Sequence, residues 1–267
     1  MQIAFLIFLF ILGSCLGSFL CCQARRLRLK YSKHKHLGNR SVCLHCRRRL
    51  KWYDNLPIIS WLALKGKCRK CHKPIGASEL LSEIGTAIAF LGIGTTINIS
   101  TASPLEWAIF CAVLLFTSVL IFLSIYDGAY GELPTHVLII SIICAIVVLV
   151  LSEILTLSNH PFTTKLILQP ISSILILGGL YLFLYLISKG RWVGDGDWIL
   201  GTSIGIAIID PWLALIILFL SNTFACLVGY PATKSKKTKK IHFGPFLVTA
   251  FIVVYTFSDI FYMLLSL

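Results

Sequence analysis

Eight apolar runs dominate this chain, at residues 3–22, 80–99, 104–126, 133–155, 167–187, 198–209, 212–228 and 246–267. Most reach the roughly 20 residues that an α-helix needs to cross a bilayer. With 57% of residues hydrophobic, only a membrane fold can shelter so much apolar surface. In lipid the backbone must satisfy its own hydrogen bonds, and runs without strict alternation satisfy them as helices. The expected fold class is therefore all-α: a polytopic membrane protein with about eight transmembrane helices. The run at 198–209 is short, and its boundary with the next, at Asp210-Pro211, is the least defined.

The net charge is +13, which on a soluble chain would suggest nucleic acid. Here 23 of the 24 Lys and Arg fall in the segments 23–80, 188–197 and 229–245, and only Lys165 falls elsewhere. Threading eight spans puts those three segments on one side of the membrane. By the positive-inside rule that side is the cytoplasm, with both chain ends outside. The lysine run Lys234, Lys236, Lys237, Lys239 and Lys240 then reads as a solvated inside anchor, and the basic loops as topology signals that meet the lipid bilayer. No nucleic-acid partner is expected. Leu12-Gly13-Ser14-Cys15 loosely resembles a lipoprotein cleavage box, but no Lys or Arg precedes it, so residues 1–22 read as an uncleaved first helix. The small residues from Gly13 to Ser18 suit close helix packing.

Residues 23–80 are polar and too few to build a core of their own. Cys43-Leu-His-Cys46 and Cys68-Arg-Lys-Cys71 supply a staple, because two C-x2-C pairs 21 residues apart have the spacing of a tetrathiolate zinc ribbon. A reducing cytoplasm favours metal over disulfides, with two redox pairs as the alternative. His45 and His72 read as bystanders. The other six cysteines, Cys15, Cys21, Cys22, Cys111, Cys144 and Cys226, lie in or beside apolar runs and behave as small hydrophobes. Residues 81–267 form the third division, a transmembrane domain. Between the cysteine pairs, Trp52, Tyr53 and Trp61 suit either an interfacial anchor or a binding role.

Ionisable groups at membrane depth point to function. Asp127 closes the run at 104–126, and Gly194-Asp195-Gly196-Asp197 opens the run at 198–209. Glu83 begins the second long helix, where it could be solvated or face the bundle. Glu132 and His136 read as solvated at the interface. We expect Asp127 and Asp197 to meet as a pair of carboxyls that share one proton and activate water, which hydrolyses an amide without metal or covalent intermediate.

Taken together, these stretches resemble the type IV prepilin peptidases, GxGD-type aspartic membrane proteases. The resemblance rests on Gly17-Ser18-Phe19, on the cysteine pairs around Ser60-Trp61-Leu62 and Gly66-Lys67-Cys68, and on Glu83 twelve residues after the last cysteine. It continues through Asp127 seven residues before Pro134 and Gly194 to Asp197, and ends on His242-Phe-Gly-Pro-Phe246, where the family shows P-F-G-P-F. The chain departs from the family at Cys21, at Glu79-Leu80 and at Ile199. The resemblance implies a bacterial cytoplasmic-membrane enzyme with Asp127 and Asp197 catalytic and Gly194, Asp195, Gly196 and Glu83 in support. It implies cleavage of prepilin or pseudopilin precursors after a Gly, and N-methylation of the new terminus with S-adenosylmethionine. Asp195 and Glu132 are candidate contacts for the basic leader. No Rossmann-type glycine fingerprint occurs in residues 23–80, so S-adenosylmethionine rests on the resemblance alone. The residues by themselves leave two other classes open: an ion- or proton-coupled transporter with buried aspartates, and a membrane-anchored zinc-ribbon scaffold.

Overall fold

The structure, a computed structural model, describes residues 1–31, 42–43, 45–159, 164–191, 193–229 and 242–265. The lysine run at 234–240 and Trp192 lie outside the described residues. The chain forms two compact units, 1–95 and 96–267. Among the described residues there are no strands, and every apolar run read from the sequence is helical.

In the first unit, α1 (Gln2–Tyr31) packs along α3 (Ala77–Thr95). Glycines set their spacing. A Cβ on Gly13 would lie 2.8 Å from the Thr86 carbonyl oxygen, and one on Gly17 would strike the Ser82 carbonyl. The two backbones therefore touch where a larger residue would hold them apart. Leu9, Ala87, Phe90 and Ile93 fill the seam and are buried. Between these helices lie a short 3₁₀ turn, Trp52–Asn55, and one further short helix, α2 (Ile59–Ala63). Composition divides this stretch at residues 22 and 80, whereas packing groups both flanking helices with the polar insertion, because α1 buries its small-residue face on α3.

The second unit contains the remaining helices. Its first, α4 (Pro104–Tyr130), starts on a capping box in which Ser103 and Glu106 each accept the other's backbone N–H. It stops at Gly131, whose φ of +69° ends the helix in the left-handed conformation. After α5 (Thr135–Asn159), α6 (Lys165–Ile174) passes through a π-turn at Leu175–Gly179 into α7 (Leu180–Ser188). Then come α8 (Asp195–Ile208) and α9 (Pro211–Phe224), the latter capped by Asp210 accepting from Trp212 N–H. The chain ends in α10 (Gly244–Thr256) and α11 (Ser258–Leu265), bent by 74° at their junction. Tyr262 Oη donates to Asp210 Oδ2 at 2.9 Å, tying α11 to the start of α9.

Among the described residues six helices are long and apolar enough to cross a bilayer, and a seventh if the bent pair counts as one span. The run at 198–209 departs from this pattern: α8 has 14 residues, about 21 Å at a rise of 1.5 Å per residue, short of a hydrocarbon core about 30 Å thick. Much of it is sheltered by protein. Leu200, Gly201 and Ser203 to Ile208 are buried. A Cβ on Gly201 would lie 2.7 Å from the Leu177 carbonyl, and one on Gly205 2.8 Å from the Ser173 carbonyl. These close approaches seat α8 against α6 and the π-turn, so its first residues are rigidly placed.

Candidate active site and metal centre

The second unit gathers the carboxylates. Asp127 sits in the last turn of α4 and is buried. Asp197 sits in the first turn of α8, where its Oδ2 accepts the Gly194 N–H at 3.0 Å and so caps its own helix. Each carboxylate lies at a helix end because the apolar pattern stops there. The fold brings them within electrostatic reach of one another, with Asp195 contributing to the same field. Gly196 permits the approach, since a Cβ there would lie 2.6 Å from Leu133 on the exit from α4. Asp195 and Glu132 are exposed.

A segment from the far end of the chain completes the cluster. Gly244 N–H donates to Asp127 Oδ2 at 3.0 Å, and a Cβ on Gly244 would lie 2.8 Å from that oxygen. His242 Nδ1 stands 3.8 Å from Asp127 Oδ1. Its ring rests on Gly131, where a Cβ would lie 2.7 Å from Cε1. Phe243 packs on Tyr181 with ring centroids 5.1 Å apart. Tyr181, in turn, accepts from Asn222 Nδ2 at 3.3 Å, pairs with Ser221 Oγ at 3.4 Å and lies in the field of Asp197. The sequence marks residues 242–246 by resemblance but assigns His242, Gly244 and Tyr181 no part in the site. The available signals were His242 standing where the family has Pro, and Tyr181, Ser221 and Asn222 as polar residues inside apolar runs.

Two carboxyls in one another's field do not both ionise cheaply, so such a pair can hold a single proton and present one base and one acid to a water.

The first unit holds the cysteines and Glu83. The two knuckles repeat one another in detail. Arg47 N–H donates to Cys43 O and His72 N–H to Cys68 O, both at 2.9 Å, and Arg47 and His72 both have positive φ, 53° and 55°. A backbone pairing closes each knuckle, Val42 with Arg49 and Lys67 with Pro74. The four Sγ atoms lie within 4.8 Å of one another, with Cys43 to Cys71 at 3.9 Å and Cys46 to Cys68 at 4.0 Å. A tetrahedron with Zn–S bonds of 2.3 Å has edges of about 3.8 Å, so the donor set and its spacing fit zinc. All four are free thiols. Cys71 and Lys70 N–H groups point at Cys68 and pull its thiol down to about 6. The Lys73 N–H acts to lower Cys71 as well, yet burial and the neighbouring sulfurs outweigh it and push that thiol up to about 11. Four thiolates side by side need a cation.

Asp54 ties the knuckles together, accepting from Arg48 Nη2 at 3.2 Å on one side and Arg69 Nε at 3.0 Å on the other. Burial alone would raise its carboxyl, but the Lys51 N–H and the two guanidiniums outweigh burial and hold it below the usual carboxylate range.

Beside the knuckles lies a cavity of about 260 Å³. Glu83, buried, accepts the Ile58 N–H at 2.6 Å and bonds to Ser18. Glu79 pairs with Arg25 on the same wall. Trp61 forms another wall, its ring lying over Gly66, where φ is +66° and a Cβ would lie 2.8 Å from Cζ2. Its Nε1–H is buried and finds no acceptor among the described residues.

Comparison with known proteins follows the same division. The family described as "Bacterial Peptidase A24 N-terminal domain" matches residues 11–97, nearly the extent of the first unit. A prepilin leader peptidase/N-methyltransferase of Bacillus subtilis (strain 168) is 30% identical over 262 residues, covering 94% of both chains. The chain belongs to this family. The enzyme of the same name from Aeromonas hydrophila is 29% identical over 215 residues, 79% of this chain and 69% of that one. The one from Myxococcus xanthus (strain DK1622) is 43% identical over 86 residues, and that match covers 32% of this chain but a quarter of the relative's length. No solved structure gives a significant match.

Proposed function

We propose that this chain cleaves the basic leader from prepilin-like precursors with Asp127 and Asp197 as its catalytic pair, and methylates the new N-terminus. The observation that carries the peptidase reading is the convergence of α4, α8 and the 242–244 segment on two carboxylates at helix ends. One carboxylate, ionised, takes a proton from water as the water oxygen adds to the scissile carbonyl. The other, protonated, gives its proton to the carbonyl oxygen; the gem-diol then collapses as the first carboxyl passes its proton to the leaving amine nitrogen and the second takes back a hydroxyl proton. Gly194 and Gly196 let the Asp197 turn close on its own helix start and approach Leu133. Asp195 and Glu132, exposed acidic groups next to this region, meet the basic leader. The distribution of Lys and Arg along the sequence supports a cytoplasmic position for the pair and the cysteine module in a bacterial membrane, with both ends of the chain outside.

Zinc is held by Cys43, Cys46, Cys68 and Cys71 as a structural ion, closed to substrate because all four positions are thiolates. Residues 23–80 thus act as a metal-folded module between the first helix and the peptidase domain of 81–267. The cavity beside it suits S-adenosylmethionine. Trp61 offers a π-face and a donor with no acceptor among the described residues, and Glu79 and Glu83 line the same cavity with carboxylates suited to a cationic amino-acid moiety. When bound, that group supplies the methyl for the product amine. Glu83, held by Ile58 N–H and Ser18, supports this activity.

The test is purified protein in bilayer discs with a prepilin precursor. The parent should release the leader, and Asp127→Asn and Asp197→Asn should each abolish release while leaving the protein folded. Asp195→Asn should be milder. Cleavage that survives either of the first two changes refutes the reading.

A further inference from the structure

Both oxygens of Asp127 are addressed by one short segment. Oδ2 takes the Gly244 N–H at 3.0 Å, and Oδ1 faces His242 Nδ1 at 3.8 Å, within ion-pair range but too long for a hydrogen bond. The imidazole is not loosely placed. It rests on Gly131, the left-handed residue that ends α4, and Gly131 N–H donates to the Asp127 carbonyl at 2.7 Å. One residue on, Phe243 is wedged against Tyr181, and Pro245 approaches Gly128. The segment is thus clamped over the end of α4, and the side chain it aims at Asp127 is a histidine.

We propose that His242 is a positioning residue of the carboxylate pair: its imidazolium fixes Asp127 as the ionised partner and leaves the shared proton on Asp197. This rests on the peptidase reading above. Imidazole changes charge between pH 5 and 8. With its side chain 45% exposed, His242 exchanges protons with water without a relay. The charged and titratable groups on the elements packed around it are Asp127 on α4, Asp197 on α8 through its coupling to Asp127, and Glu132 and His136, exposed just beyond Gly131. Asp127 Oδ1 faces the ring at 3.8 Å. Asp197 has a different setting: its Oδ2 accepts the Gly194 N–H, and Asp127 and Asp195 add negative field. The asymmetry makes Asp127 the base that receives the water proton and Asp197 the acid that protonates the carbonyl oxygen.

When protonated, the imidazole stabilises the Asp127 anion by its positive charge and keeps the base available in acid; when neutral, it has no such effect. His242→Asn keeps a polar group of similar reach without the charge, and His242→Lys keeps the charge across the whole range. Initial cleavage rates from pH 5 to 8.5 should show His242→Asn slower than the parent by roughly two- to fivefold at pH 5.5, the gain expected of one partly exposed ion pair. The gap should narrow toward pH 8, and His242→Lys should restore the acid limb. Melting temperatures of all three report folding. A His242→Asn profile parallel to the parent at every pH overturns the proposal, whether the curves coincide or differ by a constant factor. The same plates carry Asp127→Asn and Asp197→Asn. If these still cleave, the peptidase reading itself has failed; if they are dead and only the His242 profiles are flat, the failure is this proposal alone.

Discussion

Gly244 N–H donates to Asp127 Oδ2 across 117 positions of sequence, and no side chain larger than hydrogen fits at residue 244 without touching that oxygen. The glycine therefore has two tasks: it brings a backbone donor to the carboxylate and leaves room for it. A donor to an ionised carboxylate stabilises the charged form, so the contact prepares Asp127 for work as a base.

Gly244→Ala tests both tasks at once. The new Cβ, 2.8 Å from Oδ2, must displace either the carboxylate or the turn that carries the N–H. Cleavage should fall roughly tenfold or more, with KM changed little because the loss is of a group acting in the transition state. Expression and melting should stay close to the parent's, since residue 244 sits at a helix start where φ is ordinary.

Replacing Cys43 and Cys46 with Ser removes one complete knuckle. Because metal binding in so small a module is largely its folding energy, elemental analysis should fall from about one zinc per chain to none, and limited proteolysis should open within 23–80. Parent protein with no zinc would remove the metal claim outright.

Asp54 supplies a pH-dependent link between the knuckles. Its carboxyl titrates lower in the folded chain than the ordinary value of about 3.9. The stability it adds is therefore present above that ordinary value and is lost as pH falls through the lower folded one. Asp54→Asn should release zinc to a chelator faster than the parent at pH 7. The two proteins should converge as the pH drops below about 4.

Local patterns were legible before any coordinates. The apolar runs gave the helices, the two C-x2-C spacings gave the thiol cluster, and Asp127 and Asp197 were marked by standing where apolar runs stop. What stayed hidden was relational. His242 and Gly244 sit in turn-forming sequence that gives no sign of its partner, because a contact 117 residues away leaves no periodic trace. The length of the run at 198–209 hinted at a short helix. That it would be buried by Gly201 and Gly205 against α6 depended on which neighbour it met. Glu83 could have faced water or protein until Ile58, at a φ of 61°, turned its N–H onto the carboxylate. Trp61 read equally well as a membrane anchor, and its half-buried place beside Gly66 distinguishes it from Trp52, which is 77% exposed.

Trp61→Phe separates the two proposed activities. The phenyl ring keeps most of the apolar wall over Gly66 but removes the indole N–H, a buried donor with no acceptor among the described residues. Losing a hydrogen-bond donor that serves only a ligand weakens that ligand by about 0.5–1.5 kcal/mol, roughly two- to tenfold in Kd. Calorimetry with S-adenosylmethionine reads this directly, without relying on turnover. Nothing in the chemistry proposed for Asp127 and Asp197 needs an indole, so leader release should continue at the parent's rate. Mass spectrometry of the mature product under limiting S-adenosylmethionine should then show a larger unmethylated fraction from the variant than from the parent. Equal affinity in the two proteins would mean that the donor faces a water and not the ligand, and the cavity assignment would fall. If S-adenosylmethionine fails to bind the parent at all, the departures at Cys21 and Glu79-Leu80, both on this cavity's wall or beside it, become the place to look.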